Sequence, residues 1–255
     1  MGDLVSKGWP VGTPGSTYYL SPEAYCCEFE DGAIILDMRA VTYLGIDAEH
    51  ARILRARVEN WPNYKCAPDS KYTVNPALDA LVEDLLVRGI LTTVRMQARI
   101  LEFEPPTMGW TNPHWSTAHH RIPISRVLLF STSSLRVLLR RNGRNLASLL
   151  RWIGRHQAAF HRRDKPSERQ KTDELLASFF QLRIWFYTAD RHCLLDSLVL
   201  SVYLTNQKVP CTLVIGVSTR PFAAHAWVQI GECVLNDTVE HVLTFTPILA
   251  VGAIK

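Results

Sequence analysis

Residues 188–203 read T-A-D-R-H-C-L-L-D-S-L-V-L-S-V-Y, and this stretch decides the fold of the second half. Asp190 stands where a side chain caps the first turn of a helix. Cys193 then lies in that turn, where unpaired backbone N–H groups stabilise a thiolate and prepare it as a nucleophile. Apolar residues at helical spacing give the predicted helix a buried face, formed by Leu194, Leu195, Leu198, Val199, Val202 and Tyr203.

Three strand-like runs follow Pro210, at residues 211–218, 225–230 and 233–236. The second run begins with His225, and the third leads into Asp237. A helix followed by antiparallel strands predicts an α+β arrangement with a cysteine on the helix and a histidine on a strand. This is the order of papain-like and transglutaminase-like sites.

The turn between the last two runs decides whether a carboxylate meets the imidazole. A three-residue loop at 230–232 would place Asp237 opposite His225, with Cβ atoms about 4.5 to 5.5 Å apart. A two-residue loop would pair His225 with Thr238 and turn Asp237 to the other face. A triad of Cys193, His225 and Asp237 therefore demands the three-residue loop. Asp196, one turn beyond Cys193, is expected to be solvated or paired with Arg191.

These residues resemble the leader peptidase of lasso-peptide biosynthesis, a transglutaminase-like cysteine protease. The resemblance lies in R-H-C-L at 191–194 with Ser197, I-G-V at 215–217, A-H-A-W-V at 224–228, and Asp237. The intervals of 32 residues from cysteine to histidine and 12 from histidine to aspartate match that family's spacing. The resemblance implies that Cys193 attacks a leader-peptide carbonyl, His225 relays the proton, and Asp237 orients His225.

The first half predicts a small sheet with helices. Strand patterns occupy residues 24–30, 33–37 and 41–46, with a turn at Asp31-Gly32. Asp47 is placed to cap a helix that runs to about Asn60, and a second helix is expected at 76–88, with Gly89 as its stop. Three strands on helices leave a sheet edge that can take up an extended peptide.

This half resembles the leader-peptide recognition domains of ribosomal peptide maturation, which are similar to pyrroloquinoline quinone biosynthesis protein D. The resemblance rests on D-G-A-I-I-L-D at 31–37, T-Y-L-G-I at 42–46 and L-V-E-D-L-L-V-R-G-I-L at 81–91. A generic winged-helix domain shares much of this pattern. The implied leader-binding surface comprises Val41, Thr42, Tyr43, Leu44, Gly45, Ile46, Leu78, Leu81, Val82 and Leu85. The alternative role of these apolar residues is ordinary core, and strand alternation assigns about half of them to it.

Charge also divides the chain. Residues 1–104 hold 15 acidic and 10 basic residues, whereas residues 105–255 hold 9 acidic and 18 basic ones. Two differently charged halves suggest two domains.

We predict a recognition domain at 18–95, a proline-containing connector at 96–122 and a peptidase domain at 123–255. In the last of these, helical patterns occupy 124–161, as two helices, and 167–187.

The predicted fold class is thus α+β, with a winged-helix-like recognition domain of three strands plus helices ahead of a papain-like or transglutaminase-like cysteine protease domain with an antiparallel sheet. Such a fusion resembles the lasso-peptide biosynthesis B proteins of the microcin J25 processing type. The resemblance implies two partners, a lasso precursor peptide and an asparagine-synthetase-like cyclase. It also implies that ATP acts through the cyclase, and no cofactor bound by this chain is expected.

Composition, the N-terminal sequence and cysteine spacing argue against several classes of protein. The chain has 255 residues, 47% of them apolar, and no apolar run approaches the roughly 20 residues of a membrane span. The N-terminus lacks a signal-peptide pattern, so a cytoplasmic location is expected. The six cysteines include no C-x-x-C pair, so free thiols are expected and no metal site is predicted.

A basic strip remains without an assigned role. Ten arginines and no Asp or Glu stand between residues 105 and 163. The strip is a solvated helix face or a surface for an acidic peptide, the cyclase or a membrane. Nucleic acid is not expected, because the arginines show no regular interleaved aromatic and basic pattern and no glycine-rich phosphate loop accompanies them.

Two other functions fit parts of the sequence. Acyl transfer to an amine, as in true transglutaminases, would use the same three residues as hydrolysis. A catalytically silent adaptor that presents the precursor would need the first half alone.

Overall fold

The computed structural model describes residues 17–62, 76–97, 104–110, 122–141, 143–159, 166–186 and 192–252. These residues form two compact units. The N-terminal unit holds residues 17–37 and 43–97, and the C-terminal unit holds residues 104–252 with the short turn at 38–42. Among the described helices, none is both long and apolar enough to cross a membrane.

The described part of the N-terminal unit contains five strands and two helices. The strands are β1 (Tyr19–Leu20), β2 (Ala24–Phe29), β3 (Gly32–Asp37), β4 (Thr42–Asp47) and β5 (Leu91–Thr92), and the helices are α1 (Ala48–Arg57) and α2 (Pro76–Val87). Strands β2, β3 and β4 form the expected three-stranded sheet, and β1 pairs with β5 in a second, two-stranded sheet. The order of three strands followed by two helices is the one predicted, and the β1–β5 pair was not anticipated.

A capping side chain and two glycines explain where helices and turns of this unit begin and end. The Oδ1 atom of Asp47 accepts a hydrogen bond from the backbone N–H of His50 at 3.0 Å, which caps α1 as expected. Gly89, with φ +68°, ends α2, and its N–H donates to the carbonyl of Leu86 at 2.9 Å. Gly32 has φ +146°, and a Cβ there would lie 2.0 Å from the carbonyl oxygen of Ile46, so this turn requires glycine.

One hydrophobic core holds the N-terminal unit together. Ile35 and Leu54 are fully buried in it, which joins the sheet to α1, and Leu85 brings in α2. The burial of these side chains is the main favourable contribution to the stability of the unit.

The C-terminal unit consists of a helical layer and a five-stranded sheet. In chain order its elements are β6 (Met108–Gly109), α3 (Ile124–Arg140), α4 (Gly143–Gln157), α5 (Pro166–Arg183), α6 (Cys193–Asn206), β7 (Thr212–Thr219), β8 (Phe222–Ile230), β9 (Cys233–Val234), α7 (Val239–Val242) and β10 (Thr246–Gly252). The sheet order is β10-β7-β8-β9-β6. Only β6 is parallel to its neighbour, so the described part of the chain is α+β with predominantly antiparallel pairing, as predicted.

Helix α6 lies at the centre of this unit. It packs against α3, α4 and β8, and every residue from Asp196 to Thr205 is buried. Burial on all sides goes beyond the one-sided amphipathic helix that the sequence predicted, and Leu194 and Leu195 are only half-buried. The core position of α6 fixes its first residue, Cys193, against strand β8.

The predicted connector at 96–122 is partly incorporated into the C-terminal sheet. Within it, β6 pairs with β9, and the backbone N–H of Trp110 donates to the carbonyl of Val234 at 2.6 Å. The indole N–H of Trp110 also donates to Asp173 of α5 at 3.0 Å. Residues 104–110 therefore belong structurally to the C-terminal unit, and residues 98–103 and 111–121 of the predicted connector lie outside the described part.

Of the two loops considered between the last two strands, the protein has the two-residue one, and the expectation that the triad demands a three-residue loop is wrong. Ile230 pairs with Cys233, and Gln229 pairs with Val234, so the loop contains only Gly231 and Glu232. Gly231 has φ +56°, a conformation that favours tight two-residue hairpins. Continued regularly, this register would carry Asp237 to the face away from His225, yet β9 ends after two residues.

Candidate active site

Cys193 is the first residue of α6, as the sequence predicted for the nucleophile. The residue at the N-cap position is His192, and its side chain makes no capping hydrogen bond. The predicted N-cap position at Asp190 is therefore wrong, and Asp190 itself lies outside the described residues. The thiol is half-buried and hydrogen-bonds to the side chain of His225. That bond, with weaker help from the backbone N–H groups of Ala226 and Leu194, lowers the pKa of Cys193 although burial opposes the shift.

His225 occupies the middle of β8, directly opposite Gly216 of β7. Its side chain is 12% exposed, and its ring stacks on that of Phe245 with centroids 5.1 Å apart. The Nε2 atom bonds to Oδ2 of Asp237, which leaves the other ring nitrogen for Cys193. Burial alone would lower the pKa of His225, but its bonds with Asp237 and Cys193 outweigh burial and raise the pKa to about 9.

Asp237 contacts His225 from the bend that follows β9. Its Oδ1 atom accepts a hydrogen bond from the backbone N–H of Thr238 at 2.7 Å, while Oδ2 faces the imidazole. Burial raises the pKa of this carboxyl, but hydrogen bonds from His225, His241 and the Thr238 backbone prevail and lower it to about 2. Asp237 is therefore ionised over the whole neutral range and can hold an imidazolium.

Asn236 explains how Asp237 meets His225 in spite of the two-residue loop. In a regular ladder the N–H of Val228 would donate to a backbone carbonyl of the neighbouring strand. Here it donates to the side-chain Oδ1 of Asn236 at 2.8 Å, and the carbonyl of Val228 accepts the N–H of Leu235 at 2.8 Å. The side chain thus satisfies the edge of β8 while the backbone bends away, and this bend brings Asp237 to the face of His225.

The same asparagine connects the bend to α6. Its Nδ2 group donates to Oδ2 of Asp196 at 2.9 Å and to Oγ of Ser197 at 3.0 Å, and that hydroxyl donates to the carbonyl of Ala226 at 2.8 Å. Asp196 is 1% exposed and also accepts from Nη1 of Arg183 at 3.0 Å. The expectation that Asp196 is solvated is therefore wrong, and the alternative, a pair with Arg191, involves a residue outside the described part of the chain. This buried network holds the nucleophile helix, the histidine strand and the aspartate bend in one arrangement.

Sequence reasoning missed two side chains of this site, His241 and Phe245. Nδ1 of His241 bonds to Oδ2 of Asp237 at 2.9 Å, and its ring lies 4.7 Å from that of His225 between centroids. The ring of Phe245 packs against both imidazoles, with its centroid 5.1 Å from that of His225 and 5.4 Å from that of His241. The available signal was the spacing Asp-x-x-x-His across the start of a short helix, with Asp237 in the bend before α7 and His241 within it.

His225, Asp237 and His241 together also have the composition of a metal site. One ligand atom from each of His225, Asp237 and His241 lies within 4.8 Å of the others. Both oxygens of Asp237 already accept N–H donors, however, and His225 bonds to the thiol through its remaining nitrogen. The arrangement is that of an orienting carboxylate in a Cys-His-Asp triad, and its charges favour a thiolate beside an imidazolium.

The predicted leader-binding surface divides between core side chains and side chains at or near the strand edge. Ile46, Val82 and Leu85 are 7%, 3% and 0% exposed, so these three side chains are core, the alternative that strand alternation left open. Thr42 and Gly45 are exposed, whereas Val41, Tyr43, Leu44 and Leu81 are half-buried. Val41 also lies in the turn before β4, with φ +55°, and the side chain of Leu78 is outside the described residues.

Strand β4 nevertheless keeps an open edge. It lies at the end of the order β2-β3-β4, and among residues 17–62 and 76–97 no strand pairs with its outer side. An edge of this kind can hydrogen-bond to an extended peptide.

Comparison with known proteins found similarity in the C-terminal half of the chain. Residues 135–250 match the transglutaminase-like superfamily, and this region contains Cys193, His225 and Asp237. Over 45 residues the chain is 44% identical to the Microcin J25-processing protein McjB of Escherichia coli, a similarity that covers 18% of this chain and 22% of that protein. No solved structure gives a significant match.

Proposed function

We propose that this chain is a cysteine peptidase that binds the leader of a lasso precursor peptide and cleaves it from the core. The observation that supports this most directly is the thiol of Cys193 hydrogen-bonded to His225, which is itself bonded to Asp237. The similarity to a microcin-processing protein supports a peptide precursor as the substrate.

The proposed reaction begins with the Cys193 thiolate. Its sulfur attacks the carbonyl carbon at the leader–core junction, and the backbone N–H of Cys193 helps to stabilise the resulting oxyanion. The C–N bond then breaks, and the departing amine of the core takes the proton from the His225 imidazolium. The leader remains as a thioester on Cys193, until a water that loses its proton to His225 hydrolyses it and restores the thiol pair.

The N-terminal unit would supply the binding energy for the leader. In this proposal the leader pairs with the open edge of β4, where Thr42 and Gly45 are exposed residues. Half-buried Tyr43, Leu44 and Leu81 would contact the leader side chains beside it. Backbone hydrogen bonds give affinity in such strand addition, and the adjacent apolar side chains give specificity.

The freed core peptide would pass to an asparagine-synthetase-like cyclase that closes a macrolactam with ATP. This chain would bind no cofactor itself, and ATP would act through that partner. A second candidate function is acyl transfer from the thioester to an amine, which the match to the transglutaminase-like superfamily favours. Both functions use the same thioester and differ only in the group that attacks it.

Mass spectrometry of the precursor peptide tests the proposal. The precursor is incubated with cyclase, ATP and either wild-type protein or the Cys193→Ala variant. We expect wild type to yield leader plus core, or leader plus a product one water lighter than the core, while Cys193→Ala binds the precursor and leaves it intact. Cys233→Ala is the matched control and should cleave like wild type, because this half-buried cysteine of β9 lies outside the triad.

Two other outcomes would change the assignment. If wild type and Cys193→Ala behave alike, Cys193 is structural and the chain is a peptide-binding adaptor. If an added primary amine appears on the carboxyl end of the released leader in place of a free acid, the enzyme is an amine acyltransferase.

A further inference from the structure

His241 approaches the site from the chain segment that follows Asp237. It lies in α7, four residues after Asp237, and its Nδ1 atom is 2.9 Å from Oδ2 of that carboxylate. An ionised carboxylate only accepts hydrogen bonds, so Nδ1 must carry the hydrogen and donate. One oxygen of Asp237 therefore receives two imidazole N–H groups, from His225 and His241.

Three donors together determine the orientation of this carboxylate. His241 and His225 approach Oδ2, and the backbone N–H of Thr238 donates to Oδ1 at 2.7 Å. The Thr238 N–H belongs to the next residue along the chain. The two imidazoles are the donors that oppose rotation of the Asp237 carboxylate about its Cα–Cβ and Cβ–Cγ bonds. The imidazole of His225 must remain able to move its proton during a reaction, so His241 is the donor that can stay fixed throughout.

The side chain of His241 contributes little to the fold of α7. The helix begins with Thr238, whose hydroxyl accepts the backbone N–H of His241 at 3.3 Å, and a change of the His241 side chain leaves that bond intact. The side chain is 51% exposed, so its removal uncovers little apolar core. Its contacts are with Asp237 and with the rings of His225 and Phe245.

We propose that His241 is a positioning residue, which holds Oδ2 of Asp237 in line with Nε2 of His225 and so keeps the imidazole directed at Cys193. His241 touches neither the thiol nor the scissile bond in this scheme, and it acts through Asp237. The inference rests on the proposed peptidase function for its effect on turnover, whereas its effect on the reactivity of Cys193 is independent of any substrate.

Two substitutions separate hydrogen bonding from packing. His241→Phe keeps a ring beside Phe245 but removes the donor, whereas His241→Asn places an amide nitrogen the same number of bonds from the backbone as Nδ1. We expect His241→Phe to lower kcat on the precursor peptide by about ten- to a hundredfold with KM unchanged, because small misplacements of catalytic groups have effects of this size. His241→Asn should recover most of the loss.

The alkylation rate of Cys193 by iodoacetamide at neutral pH gives a second, substrate-free measurement. It should fall several-fold in His241→Phe and return towards wild type in His241→Asn, with the site of alkylation identified by peptide mass spectrometry. His50→Phe is the matched control, because His50 also bonds through Nδ1 to an aspartate, at 2.7 Å, in the other unit. It should leave the alkylation rate unchanged.

The possible failures are distinguishable. If wild type does not cleave the precursor, the proposed function fails, while the alkylation rates still decide the role of His241. If His241→Phe matches wild type in alkylation, or if His241→Asn is as slow as His241→Phe, the positioning role is overturned.

Discussion

Each unit of this protein contains an aspartate followed by a histidine near the start of a helix, and the two pairs differ in their surroundings. In the N-terminal unit, Asp47 caps α1 and bonds to His50, with the two side chains 64% and 34% exposed. In the C-terminal unit, Asp237 precedes α7 and bonds to His241, but the carboxylate is only 16% exposed and also meets His225 from β8.

The comparison shows that the local pair does not create the site. Bonds with the His50 backbone and side chain lower the pKa of Asp47, which remains a surface cap in contact with solvent. Around Asp237, burial and a second imidazole couple the carboxylate to a thiol, with the pKa of His225 raised to about 9 and that of Asp237 lowered to about 2. The difference comes from tertiary structure, in which a distant strand and helix supply the other two members of the triad.

The largest expected effect comes from converting each aspartate to its amide. Asp237→Asn should lower kcat by about 10⁴-fold, the size of loss seen when the orienting carboxylate of a triad becomes an amide. The amide also removes the charge that stabilises the imidazolium, so the pKa of His225 should fall. Asp47→Asn should leave kcat unchanged, because asparagine caps helices about as well as aspartate. Steady-state cleavage of the precursor measures both variants.

Equal losses in the two variants would contradict this comparison, since they would indicate a general effect of the substitution on folding. Circular dichroism melting curves are the control for that possibility. Both variants should unfold within a few degrees of wild type.

A smaller effect is expected from Gly216→Ala, which disturbs the surroundings of His225 without altering the triad. A Cβ at Gly216 would lie 2.8 Å from Cβ of Phe245 and 2.9 Å from Cζ3 of Trp227. Phe245 stacks on His225, so its displacement should loosen the imidazole and lower kcat on the order of tenfold. Thermal melting should show a stability loss of about 1–3 kcal/mol from overpacking.

Gly154→Ala in α4 is the matched control for this substitution. A Cβ there makes only an ordinary contact, 3.4 Å from Cγ1 of Val251. Its kcat should equal that of wild type. If Gly216→Ala also turns over at the wild-type rate, the aromatic stack does not position His225.

Cys193 and His225 could be placed from the sequence because each belongs to an element with a strong local signal. Cys193 begins a long apolar helix, and His225 lies in a strand rich in apolar residues. The geometry that joins Asp237 to them could not be predicted. The pairing argument required a three-residue loop, whereas the protein uses a two-residue loop and then replaces a ladder hydrogen bond with the side chain of Asn236. A side chain that replaces a backbone carbonyl as hydrogen-bond acceptor leaves no periodic pattern in a sequence.

Other elements were missed because their partners are far away along the chain. Strand β6 has two residues and exists only through its pairing with β9, more than a hundred residues later. Strand β10 contains Pro247, which argues against an interior strand, but it lies at the sheet edge and the register shifts next to the proline. Asp196 looked like a surface residue because its partner Asn236 is 40 positions away.

The pH dependence of Cys193 alkylation by iodoacetamide tests the central claim most directly. If Cys193 and His225 form a thiolate–imidazolium pair, the alkylation rate should already be high at neutral pH and stay level as the pH rises. It should change only near pH 9, where His225 loses its proton. In Asp237→Asn that change should move to lower pH, because the bond with Asp237 raises the pKa of His225. A single rise centred near the ordinary thiol pKa of about 9, identical in both proteins, would contradict the account.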